Sequence, residues 1–236
     1  MKRILLGTTL GVALLAGAAM AGPVRDFEEA YRGMYGSYRA ALFMTNSGSA
    51  EKSAGSMKAF SDKWEALMAT YRAAPPPQYM DDPDWAVQME LVDEMLAKAQ
   101  GEVASGALGE AHETLEGVRE VFGALHLRNG VQLYSDRMNA YHAEMEHVLD
   151  MDPATASAAD LAGKAAVLEY LAAQVALLPP VEVQDTENPE YTKLMTDFMG
   201  SVAAFRAAVD SGDAEAVKTA IAGLKKPYSI LFLKFG

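Results

Sequence analysis

The chain has 236 residues, a formal net charge of −12 and no cysteine. That length suits one large domain or two small ones, and the negative charge disfavours nucleic acid while favouring cations or basic partner proteins. The missing thiols exclude disulfides, thiolate metal sites, iron–sulfur clusters and covalent haem attachment through C-x-x-C-H.

Residues 1–22, MKRILLGTTLGVALLAGAAMAG, set Lys2 and Arg3 ahead of an apolar run too short to cross a bilayer and close it with Ala19-Met20-Ala21. This is the pattern of a signal peptide with a small-x-small cleavage site. No later stretch is apolar for long enough to span a membrane. The mature protein is therefore expected in the periplasm and not embedded in the membrane.

From residue 23 onward the apolar period is helical. Helices are expected to begin near residues 24, 50, 83 and 107, and again near 132, 156, 189 and 213. Trp85, Met89, Val92, Leu96, Ala99 and Val103 recur at spacings of three and four, as do Leu108, Ala111, Leu115, Val118, Phe122 and Leu125, so each run presents one buried stripe. Asp82-Pro83 and Asn188-Pro189 read as an N-cap followed by proline at the first helical position. The long connections PPPQYMDDPDW and PPVEVQDTENPEY join the second and third helix of each set. ILFLKF near the C-terminus is the one run with a strand-like composition, and Pro227 is expected to kink the last helix.

The two sets of helices are similar to each other. Residues 82–130 align without a gap on 188–236 at an offset of 106: DPDW falls on NPEY, Ser105-Gly106 on Ser211-Gly212, and FGALHLRNG on YSILFLKFG. Upstream, an offset of 104 pairs Pro75-Pro76 with Pro179-Pro180 and Met34 with Met138. Internal duplication is the simplest reading. The expected fold is all-α: two tandem up-down-up-down four-helix bundles, residues 23–130 and 131–236.

A secreted, cysteine-free bundle of this size, with a double proline after its second helix, an Asp/Asn-Pro start to its third and a Gly turn before a fourth ending in His or an aromatic, resembles cytochrome b562. The similarity covers both copies and is best from APPPQYMDDPDW to GALHLRNG and from LLPPVEVQDTENPEY to SILFLKFG. The resemblance implies a noncovalent haem b held at one end of the bundle by an early Met and a late His, and one-electron transfer with a redox partner protein rather than enzymatic turnover. Carried over by position, the ligands are Met34, or Tyr35 on a one-residue shift, and His126. The second copy keeps Met138 but has Phe232 at the His position, so it reads as structural. His126 lies on the apolar arc of its own helix, which independently points it inward.

The remaining histidines offer a different reading, a haem-free binding or interaction protein that captures Fe or Cu. His112 and Glu116 are spaced i, i+4, as are His142 and Glu146 in the stretch YHAEMEH, and the loop between them runs the two helices antiparallel. Two imidazoles and two carboxylates suit a divalent ion if their faces meet. Met138, His142 and Met145 also suggest Cu(I). On a helical wheel, however, His112, Glu116 and Arg119 form a polar strip, and Glu146 points toward water. Tyr31, Tyr35, Tyr38 and Tyr141, at helical spacing, read either as the lining of a cofactor pocket or as core-boundary residues with wet hydroxyls. No glycine-flanked nucleophile or phosphate-cradling loop is present.

Overall fold

The structure is a computed structural model, described over residues 22–184 and 187–236. Residues 1–21 of the expected signal peptide lie outside the described residues. Among those described the fold is all-helical, without strands. The helices are α1 (Pro23–Asn46), α2 (Ala50–Tyr71), α3 (Trp85–Ser105), α4 (Leu108–Arg128), α5 (Tyr134–Leu149), α6 (Ala158–Leu177), the single turn α7 (Val181–Gln184), α8 (Pro189–Ser211) and α9 (Ala214–Phe235). None is long and apolar enough to cross a membrane.

Packing follows the apolar stripes. In the N-terminal half α1 lies on α2, α2 on α3, α3 on α4 and α4 back on α1; in the C-terminal half α5 lies on α6, α6 on α8, α8 on α9 and α9 on α5. The halves meet where α1 packs on α9 and α4 on α5. Their apolar residues belong to one continuous core, in which Trp64, Phe60, Phe122 and Leu115 of the first half share a cluster with Tyr141, Phe198, Phe205 and Leu231 of the second.

Helix ends depart from the sequence pattern in places. Asn188 caps α8 as expected, its side chain accepting from the Tyr191 N–H with Pro189 at the first position. The equivalent α3 starts two residues later, at Trp85, because Asp82 is otherwise engaged. One carboxylate oxygen accepts from the Asp84 N–H at 2.8 Å, and the other takes Arg128 at 2.7 Å and Asn129. That cluster ties the α2–α3 connection to the end of α4. ILFLKF is helical, and α9 runs on through Pro227. Residue 223, whose carbonyl a proline at 227 crowds, is a glycine. Both long connections carry structure that periodicity did not show: a 3-10 turn at Pro77–Tyr79, and α7.

Candidate functional site

Among the described residues, three places that bring chemistry-bearing side chains together bear on function. The first is His126, only 2% exposed near the end of α4. Its Nδ1 is 2.8 Å from Asp136 Oδ1, while Asp136 Oδ2 accepts from the Leu133 N–H at the start of α5. Asp136 therefore clamps the α4–α5 turn from both sides. The His126 ring meets Tyr31 edge-on at 5.4 Å and lies parallel to Tyr79 at 6.3 Å. Met34, 0% exposed, is buried in the core and does not line the cavity beside His126. It is Tyr31, not Met34, that α1 brings against the imidazole.

These residues do not fit a haem as they are packed. The cavity between His126 and Phe27, Trp64, Tyr79, Trp85 and Phe122 is about 10 Å³, room for one water at most. Cofactor pockets run to about 300–1,000 Å³. The space between α1 and α4 is instead filled by stacked rings: Tyr31 on Tyr35 at 5.6 Å, and Tyr35 beside Tyr38 at 5.1 Å.

The second place is the strip that the helical wheel turned toward water. His112, Glu116, His142 and Glu146 in fact face one another across α4 and α5, and His142 is only 12% exposed. The wheel could not anticipate this because it treats each helix alone, whereas this face is partly covered by the other half, with Glu146 still 37% exposed. Glu116 Oε1 stands 3.5 Å from His112 Nε2 and 4.0 Å from His142 Nε2; Glu146 Oε1 is 3.2 Å from His142 Nε2. His112 Nδ1 is 3.0 Å from the Leu42 carbonyl, which can only accept, so that nitrogen carries the proton.

The same carboxylate oxygens also hold fixed cations, with Arg119 Nη2 3.1 Å from Glu116 Oε1 and Lys225 Nζ 3.2 Å from Glu146 Oε1. Among the described residues no group of three or more His, Asp or Glu side chains is arranged to hold a metal ion. Met138 and Met145 are wholly buried core residues. The cluster is thus a charge network that joins α4, α5 and α9, and it does not fit Fe or Cu. Within it, His142 first and Lys225 second pull the Glu146 carboxyl down to about 2 against the opposing effect of burial.

The third place is a cavity of about 250 Å³ at the junction of the halves. Arg32, Tyr35 and Arg39 reach it from α1, Tyr134 from α5, Glu182 from α7 and Lys234 from α9. Arg32 Nε pairs with Glu182 at 3.2 Å, and Lys234 with Glu190 at 3.0 Å. Arg39 Nη1 donates to the Phe232 carbonyl at 2.7 Å, in the last turn of α9. Tyr35 OH accepts from Asn139 Nδ2 at 3.2 Å.

Tyr31, Tyr35, Tyr38 and Tyr141 are all buried, not wet at the boundary, and the first two line this cavity. Arg39 and Glu182 carried no signal beyond a charge beside an apolar stripe and a charge in a proline-led loop. No protein-family model, curated protein or solved structure matches the chain.

Proposed function

We propose that the chain is a periplasmic, haem-free binding protein, built as two tandem four-helix bundles by duplication, whose ligand site is the cavity at their junction. The observation that carries the reading is that cavity: about 250 Å³, walled by side chains from α1, α5, α7 and α9. Clefts between packed units are where small-molecule sites concentrate. The tandem arrangement is supported by Tyr35 and Asn139, equivalent at the 104 offset, which bond each other. Residues beside a two-fold relation meet their own counterparts in this way. Binding without turnover is sufficient for such a site.

The test is thermal unfolding of the intact protein against a panel of small organic ligands. A ligand at a hundredfold excess over its Kd adds about 2.7 kcal/mol, which raises Tm by roughly 5–10 °C for a chain of this size. Val181→Trp, a change at an exposed residue on the cavity wall, should abolish the rise while leaving the ligand-free Tm unchanged. A panel that moves Tm in neither protein counts against the reading.

A second reading, haem b and one-electron transfer at Met34 and His126, has one observation in its favour. With Nδ1 on a carboxylate, His126 keeps Nε2 for a metal, the arrangement in which ligating imidazoles are usually held. It requires the rings of Tyr31 and Tyr79 to vacate the space beside His126, and no redox step is derived through it.

A further inference from the structure

We propose that the junction cavity selects a small organic anion, a carboxylate attached to a flat apolar or aromatic body, with Arg39 as the residue that recognises the charge. This deepens the binding reading above and rests on it.

The argument starts from the charges around the cavity. Three cations line it in a chain whose net charge is −12. Two of them are neutralised locally, Arg32 by Glu182 and Lys234 by Glu190. Arg39 is different. Among the described residues no carboxylate stands within 4 Å of it, and its one side-chain hydrogen bond goes to a main-chain carbonyl. Its Nε is buried without an acceptor. A guanidinium has five N–H donors in a planar fork matched to a carboxylate, and leaving a buried donor unmet is costly. Burial pulls its pKa below the ordinary guanidinium value, while neighbouring Tyr35 and Glu182 oppose that change. An anion delivered into the cavity would supply the carboxylate partner that this guanidinium lacks within ion-pair distance among the described residues.

The walls define the rest of the ligand. Tyr31, Tyr35, Leu133, Tyr134 and Phe235 present flat or apolar surface. A volume near 250 Å³ admits a single ring with a short acidic substituent, and is below the range of larger cofactors.

Benzoate and its neutral counterpart benzamide are suitable probes, titrated into the intact protein and followed by calorimetry and by amide chemical shifts. Benzoate is expected to bind saturably, with shifts at Arg39, Tyr134 and Ser135, and benzamide at least tenfold more weakly. Arg39→Gln should weaken benzoate at least tenfold, and Arg39→Lys should restore part of the loss. Benzamide binding as tightly as benzoate would overturn the anion assignment and leave the cavity reading standing. Failure of both probes to bind would overturn the anion assignment, and the cavity reading falls with it only if the wider ligand panel also leaves Tm unmoved. If Arg39→Gln does not fold, the comparison of the two probes on the unaltered protein decides.

Discussion

Asp82 illustrates how one side chain sets local structure and its response to acid. Burial alone would raise its carboxyl, but hydrogen bonds from Arg128, Asn129 and the Asp84 N–H outweigh it and leave the group below its ordinary range. A depressed folded pKa contributes stability that is present above the unfolded value, about 3.9, and is lost as pH falls through the folded one. Asp82→Ala removes the acceptor for Arg128, Asn129 and the Asp84 N–H, and should cost about 1–3 kcal/mol in urea unfolding at pH 7. It should also flatten the acid limb of stability against pH; an unchanged acid limb would show that Asp82 is not the titrating anchor. Tyr38, whose hydroxyl donates to the Leu115 carbonyl at 2.9 Å inside the core, is a smaller case. Tyr38→Phe should cost about 1 kcal/mol.

At the scale of the element, α3 and α8 end in the same way because Gly106 and Gly212 occupy the left-handed region, at φ of 84° and 69°. A Cβ there costs about 1–2 kcal/mol. Gly212→Ala should lower stability by about that much, whereas Gly200→Ala, at an open position inside α8, should raise it by about 0.4–1 kcal/mol. Equal effects at the two glycines would contradict the capping account. These helices were legible because their stripes and caps are local: Asn188-Pro189 and the Gly turns specify helix boundaries from a few adjacent residues. The start of α3 was not, because Asp82 answers to Arg128, which lies 46 positions away in sequence. Nor was α7, a single turn with no period to read.

At the scale of the whole molecule, the fourth helix of each half closes on the first helix of the other. His126 near the end of α4 meets Asp136 of α5, and the carbonyl of Phe232, its counterpart at offset 106, receives Arg39 of α1. The sequence showed that His126 and Phe232 are equivalent and inward-facing; what lay against them depended on how the halves pack, which no single-helix pattern encodes. The same packing turned YHAEMEH from a wet face into part of the junction. Because the Glu146 pKa is lowered to about 2 in the fold, its contribution is complete above about pH 4.5 and declines toward pH 2. Glu146→Gln should therefore reduce the loss of thermal stability between pH 5 and pH 2, and an unaltered loss would mean that the His142–Glu146–Lys225 pairing does not carry the acid response. The central claim is that ligand enters the junction and not the ring-filled space beside His126. A paired titration of the intact protein tests it most directly, with haemin followed at the Soret band and benzoate followed by amide shifts. The account predicts no stoichiometric Soret band and benzoate shifts centred on Arg39 and Tyr134. One haem bound per chain, lost in His126→Ala and retained in His112→Ala, would contradict it.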